Sequence, residues 1–300
     1  MRLHPSLSQS LKQQEEGRPE DFEATFRQMV LFDLASDMEF GFFLAYYRNF
    51  AISSGARTLV ANGEIPAHPM KRSIDTGVVI YELIAGGLDS DRGRQMTALL
   101  NRVHEHVPAS GEDFLYVLLS LLIVPIRWTQ NHGWRPPTQL EIAAATRFFG
   151  DLGARMHIPD FPPTFETAAA FFDDYEQRRV GPSAAGRTLI NATVQVLQGT
   201  QPRFLHPLTR RMIATMLDDD RISKALGLPC SRWWSRAALN TGLAARNAIH
   251  RRRPAGPRPR FTPGQPMGEI HPNGYVLADI GPEGVMEAGS RTRPPDAELH

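Results

Sequence analysis

Apolar residues recur at helical spacing along most of this chain, and strand-like alternation is scarce. Ile74, Val78, Tyr81 and Ile84 form one stripe and predict a helix over 70–84. Met96, Leu99, Leu100 and Val103 form another and predict a helix over 92–106. Residues 113–128 are apolar on every side, as a central buried helix should be. Punctuation supports these boundaries. Pro19-Glu20-Asp21 places acidic residues in a first turn, Gly63 closes a short helix over 53–62, and Thr138-Gln139-Leu140-Glu141 is a capping box opening a helix that runs to about residue 157. Pro159, Pro162 and Pro163 break that helix. Further helical patterns cover 164–179, 183–197, 208–217, 220–226 and 232–252, and an aromatic-rich segment lies at 38–50. The prediction is an all-α protein: a flexible stretch over 1–18, one large helical bundle over 19–252, and a Pro/Gly-rich segment over 253–300. That last segment reads as an extended arm and mostly disordered tail, with one ordered-looking stretch at Asn273-Gly274-Tyr275. No internal repeat is present.

Gly86 and Gly87 turn the 92–106 helix back towards the 70–84 helix, which brings three polar side chains into one neighbourhood. Arg72 and Thr76 stand one turn apart on the same helical face. His104 extends the apolar face of Met96, Leu100 and Val103 and is expected to point inwards. A cation for a propionate, a hydroxyl for a hydrogen bond and an imidazole for iron are what a buried haem requires. Each residue also has a plainer reading. A lone inward histidine is commonly a satisfied core residue, and Arg72 beside Lys71 can be a solvated helix-start residue. Asp75 either neutralises Lys71 one turn back or lines the pocket as an acid or base. His106 points roughly 200° away from His104 around the helix and is not expected to share a metal with it. The other histidines fall in coil, turns or a helix end.

Composition narrows the rest. Three hundred residues with 42% hydrophobic content allow a sizeable core, and the net charge of +1 gives no general reason to expect nucleic acid. Basic residues cluster at Arg251-Arg252-Arg253 and on to Arg258 and Arg260, where interleaved prolines favour a solvated tail over a phosphate-binding patch. The single cysteine, Cys230, excludes an internal disulfide and a thiolate metal cluster, which fits a reducing compartment. The polar start of the chain carries no export signal, and the apolar run from Phe114 to Trp128 is shorter than the about 20 residues of a membrane span. A cytoplasmic protein without a transmembrane anchor is expected, with peripheral membrane contact left open. Two acidic clusters, Asp173-Asp174-Tyr175-Glu176 and Asp218-Asp219-Asp220, suggest a rival: a Mg-dependent prenyl-diphosphate enzyme built on Asp173, Asp174 and Glu176. The spacing is not that of the usual aspartate-rich motif, and the second cluster reads better as a helix cap.

Several stretches occur in the order used by a known family: Arg72-x-x-Asp75-Thr76, Asn101-Arg102-Val103-His104, Asp113 to Leu118, Pro125-Ile126-Arg127-Trp128, and Gly133-Trp134-Arg135-Pro136 through Glu141. Gly153-x-x-Met156-x-Ile158-Pro159-Asp160, Tyr175-Glu176 and Pro272-x-Gly274-Tyr275 continue the pattern over roughly residues 25–285. The chain thus resembles the MpaB-like oxygenases, which share a catalytic domain with latex-clearing rubber oxygenases. The resemblance implies a helical fold around haem b, with His104 as axial ligand and Arg72 and Thr76 as haem contacts. It also implies O₂ as co-substrate and an apolar, isoprenoid-like unsaturated substrate cleaved at a C=C bond. The rubber enzymes carry a lysine where this chain has Asp75, and MpaB-like members tend to have an acidic residue where it has Val124. Phe40, Phe42, Phe43, Tyr46 and Tyr47 either line a substrate channel or pack the core. The alternative that keeps the cofactor is a non-catalytic haem sensor or carrier.

Overall fold

In the computed structural model, which describes residues 21–105, 107–199, 201–252, 258–268 and 270–281, the helical periodicity becomes thirteen α-helices and no strand among those residues. They are α1 (Phe22–Gln28), α2 (Ala35–Asn49), α3 (Ser53–Ala61), α4 (Glu64–Ala67), α5 (Pro69–Gly86), α6 (Asp91–His104) and α7 (Gly111–His132). These are followed by α8 (Gln139–Arg155), α9 (Phe165–Arg179), α10 (Ala184–Gly199), α11 (His206–Leu217), α12 (Asp220–Ala225) and α13 (Trp233–His250). The fold is all-α, as the sequence predicts.

Caps explain many of the starts. Ser110 and Asp113 form a capping box on α7, and Thr138 and Glu141 form the predicted one on α8. Asp219 caps α12 by accepting from the Arg221 and Ile222 amides, so one member of the acidic triplet serves as a helix cap. Two local features depart from the periodic reading. A π turn, Met29–Asp33, joins α1 to α2. Residues 64–67, just past the glycine that closes the preceding helix, form the one-turn α4, because Gly63 turns the chain at φ 74° and Ile65 is drawn into the core at 2% exposure.

Helix α7 is the axis of the bundle, with twelve buried residues. It crosses α2 at Gly41, where a Cβ would lie only 2.2 Å from the Pro125 Cα. Pro125 has no amide hydrogen to give its own helix, and Gly41 has no side chain, so the two backbones meet directly. Around this crossing lie Phe26, Met38, Tyr47, Phe50, Leu119, Ile123, Phe149 and Tyr175, all buried.

Buried charges bolt distant segments together. Arg135, 6% exposed, donates to both Glu141 oxygens at 2.8 and 2.7 Å and to Asp33 at 3.2 Å, while the Trp134 indole donates to the Asp33 carbonyl at 2.8 Å. The Gly-Trp-Arg-Pro stretch and Glu141 thereby lock the π turn to the start of α8. Burial raises the Asp33 pKa; the Gln28 hydrogen bond and the Arg135 cation oppose this. Arg48 clamps Glu176, which also accepts from the Tyr116 hydroxyl at 3.1 Å. Arg246 pairs with Asp37.

Residues 258–268 and 270–281 form an arm over α5. The Arg260 amide donates to the Leu31 carbonyl at 2.8 Å, Phe261 stacks on Tyr81 at 5.3 Å, and Tyr275, Leu277 and Ile280 are buried. The expected disordered stretches at 1–18, 253–257 and 282–300, and the His106 side chain, lie outside the described residues.

Candidate functional site

Helix α5 begins at Pro69, which starts its first turn without needing an amide partner, and ends where Gly87 turns the chain at φ 81°. The chain re-enters as α6 under a Ser90 cap, and the Asn101 amide ties α6 to the Arg155 carbonyl at the end of α8 at 3.0 Å. His104 is the last residue of α6. It packs edge-on to Phe114 of α7, with ring centroids 5.4 Å apart. Its Nδ1 is buried and makes no hydrogen bond. Its pKa is lowered, by burial first and then by the Arg72 cation, while the Leu100 carbonyl acts in the opposite sense. The imidazole is therefore neutral at pH 7, with a lone pair available.

The field of Arg72 reaches a second aromatic group. It opposes the burial that raises the Tyr46 pKa, and the Ser73 hydroxyl donates to the Tyr46 oxygen at 3.5 Å. Among the described residues the Arg72 guanidinium has no ion pair and no side-chain hydrogen bond. A half-buried cation without a counter-charge, in whose field lies an imidazole with a buried Nδ1 that makes no hydrogen bond, is an arrangement short of a partner. Thr76 lies one turn beyond Arg72 and donates its hydroxyl back to the Arg72 carbonyl at 2.8 Å. Val79, Ile80, Leu100 and Val103, spaced along the same two helices, are only partly buried.

Arg72 thus lies within electrostatic range of His104 across α5 and α6, with Thr76 a turn away, whereas Asp75 serves the arm. Asp75 is 1% exposed and accepts from Lys71 Nζ at 2.6 Å, the Gly281 amide at 3.2 Å and His271 Nε2 at 3.4 Å. Two turns on, Glu82 is fully buried, takes both Arg92 nitrogens at 2.8 and 2.6 Å, and accepts from the Tyr275 hydroxyl. Asp75→Asn should cost about 1.5–3 kcal/mol of stability by weakening these charge-assisted bonds. Denaturant melts should register the loss, and turnover per folded molecule should stay constant. A fall in turnover at unchanged stability would instead make Asp75 a proton-transfer group.

The rival carboxylates do not converge. Asp173 pairs with Arg127 at 2.6 Å, Asp174 with Arg178 at 2.8 Å, and Glu176 with Arg48. Among the described residues no cluster of three His, Cys, Asp or Glu side chains could hold a metal ion. A cleft of about 230 Å³ between α2, α7, α9 and α11, bordered by Arg48, Arg127, Trp128 and Asp219, has both arginines already paired with carboxylates.

Sequence reasoning grouped Arg72, Thr76 and His104 but missed the Ser73–Tyr46 contact and the role of Glu82. The sequence does contain one signal for the latter: Asp75 and Glu82 lie seven residues apart on one helix, hence on one face.

Known proteins match over this same region. The family described as "ER-bound oxygenase mpaB/B'/Rubber oxygenase, catalytic domain" matches residues 34–250. The chain is 27% identical over 226 residues to ER-bound oxygenase mpaB' of Penicillium brevicompactum, an alignment covering 69% of this chain and 53% of that protein. It is 26% identical over 200 residues to ER-bound oxygenase mpaB of Penicillium roqueforti (strain FM164), covering 61% and 67% respectively. The chain thus spans about half the length of the first of these relatives and two thirds of the second. Among the described residues no helix is long and apolar enough to cross a membrane.

Proposed function

The chain belongs to the family of ER-bound oxygenase mpaB/B' and rubber oxygenase catalytic domains, and from that premise we propose that it is an oxygenase whose cofactor is haem b, held between α5 and α6. The observation that carries this reading is His104, whose buried Nδ1 makes no hydrogen bond, lying in the field of an Arg72 that has no ion pair among the described residues. The chemistry of that pair fits the group: an imidazole to ligate iron, a guanidinium to take a propionate, and partly buried apolar side chains to flank a porphyrin. Haem, when bound, supplies the iron that activates O₂.

The chain's own residues bind, orient and exclude water. His104 presents its lone pair because burial and Arg72 keep it unprotonated. Arg72 would pair its guanidinium with a propionate of the bound group. Thr76 keeps its hydroxyl on the same face, within reach of a second acceptor after its bond to the Arg72 carbonyl. Val79, Ile80, Leu100 and Val103 would flank the group with apolar surface, which suits an apolar, isoprenoid-like unsaturated substrate that reacts with O₂ at a C=C bond. The engagement of Asp75 with the arm favours one alternative, a haem sensor or carrier that performs no acid–base step.

The test is an absorption spectrum of protein expressed with ample iron and haem precursor, followed by dithionite and CO. A histidine-ligated Soret band that shifts with CO, together with O₂ uptake on adding a prenyl alkene, supports the oxygenase. The same band without O₂ uptake supports the carrier. A colourless protein that refuses added hemin overturns both. Arg72→Ala should weaken haem affinity by about 10- to 100-fold, the equivalent of one lost charge-assisted hydrogen bond, with the helical content intact. Hemin titration followed by the Soret band measures it, and wild-type affinity would remove the propionate role.

A further inference from the structure

Helix α13 packs Leu239 and Leu243 on the core and turns further apolar side chains outwards. Of its eighteen residues only Ser235 and Asn247 are buried, and both are polar. Trp233 is 80% exposed and Ile249 51%, and between them Ala237, Ala238, Thr241, Ala244, Ala245 and Ala248 recur on the solvent side at helical spacing. A surface helix of a globular protein ordinarily keeps its outward face polar.

Helix α11 continues this surface. The Thr215 hydroxyl donates to the Ser235 hydroxyl at 3.0 Å, and the Arg211 guanidinium lies 5.1 Å over the Trp234 ring. Leu208 and Met212 share the arc of α11 that holds Arg211 and Thr215, and Phe204 precedes Leu208 by one turn. These three are exposed, Phe204 to 78%. Phe204, Leu208 and Met212 therefore adjoin Trp233 and Trp234 in one apolar face.

The stretch of chain that contains that face is strongly basic. Residues 177–268 contain sixteen Arg or Lys and three Asp or Glu, a net charge of +13, which leaves −12 for the rest of the chain. The three acids are Asp218, Asp219 and Asp220. Asp218 pairs with Arg236, Asp219 with Arg48 and Arg221, and Asp220 accepts from Ser231. Neither α11 nor α13 contains an acidic residue. Among the described residues Arg203, Arg232 and Arg252 have no carboxylate partner.

We propose that the α11–α13 face docks on an anionic lipid bilayer, with Trp233, Phe204 and Leu208 entering the headgroup boundary and the flanking arginines meeting lipid phosphates. Exposed tryptophan with interleaved arginine suits that boundary, where one end of a side chain is apolar and the other wet. A second copy fits less well, because a two-fold contact would press arginine against arginine. Nucleic acid would meet the basic residues but leave the aliphatic ones without a partner. This docking does not depend on the haem assignment.

Flotation of the full chain with vesicles of phosphatidylcholine, alone or mixed with phosphatidylserine, tests the proposal. Binding should be at least about tenfold tighter to the anionic vesicles and should weaken with salt. Combined Phe204→Ser and Trp233→Ser substitutions should lower it at least about tenfold, since both side chains lose their insertion. Arg203→Glu with Arg232→Glu should remove the preference for phosphatidylserine, and Val117→Ser, an exposed site on α7, should change nothing. Circular dichroism melts confirm that each variant is folded. No binding to either vesicle, or equal binding by all folded variants, would overturn the proposal. So would a doubled mass that Trp233→Ser abolishes, or binding to duplex DNA in place of vesicles.

Discussion

His104→Ala yields a protein that folds and stays colourless. The loss expected in haem affinity exceeds about 100-fold, more than is typical even when a group that merely supports a metal ligand is removed. The same substitution should barely disturb the bundle. The His104 Nδ1 has no hydrogen bond to lose, the ring packs on Phe114 from the last residue of α6, and burial already disfavours its charged form. A change in apo-protein stability of within about 1 kcal/mol follows. The combination is diagnostic, because loss of haem through general unfolding would move both quantities. Hemin titration beside a denaturant melt measures the pair, and full haem occupancy in the variant would end the assignment of His104.

Glu141→Ala has the opposite profile, with a large effect on stability and none that is specific to the site. Glu141 holds Arg135 through two short bonds and caps α8 through the Thr138 amide at 2.7 Å. Its removal leaves a guanidinium that is 6% exposed with only Asp33, at 3.2 Å, for a counter-charge. Breaking a buried pair from one side costs about 3–5 kcal/mol; the remaining Asp33 contact pulls this towards the lower end, while the lost cap adds to it. For a chain of this size the melting temperature should fall by roughly 10 °C. Glu141→Gln, which keeps the shape and one acceptor, should recover part of the loss. A wild-type melting temperature in Glu141→Ala would mean that the Arg135 fork holds nothing together.

The helices were legible in the sequence wherever one face alone is apolar, as at Ile74, Val78 and Tyr81, or where a cap is explicit, as at Thr138 and Glu141. Periodicity could not foresee the π turn at Met29–Asp33 or the single turn at Glu64–Ala67, since both are fixed by tertiary burial of residues such as Ile65. That the helices carrying Arg72 and His104 pack against each other was legible because only one glycine-marked turn separates them. What Asp75 does was not. Two local alternatives, pairing with Lys71 or facing the cleft, used only its own helix, and the decisive partners His271 and Gly281 lie about two hundred residues away, in a segment whose prolines and glycines read as disorder. Likewise the glycine and proline at 41 and 125 acquire meaning only when two helices cross there.

The arm carries a consequence for how the protein is made. Asp75 and Glu82 are synthesised 196 and 193 residues ahead of His271 and Tyr275, with which they share the interior. While the chain is still emerging, α5 carries two inward carboxylates whose arm-side partners do not yet exist, and burying them early is unfavourable. Until translation has passed the arm, Asp75 and Glu82 have only Lys71 and Arg92 as partners. Emergence of the arm, rather than of the last long helix, completes the partners of these two carboxylates.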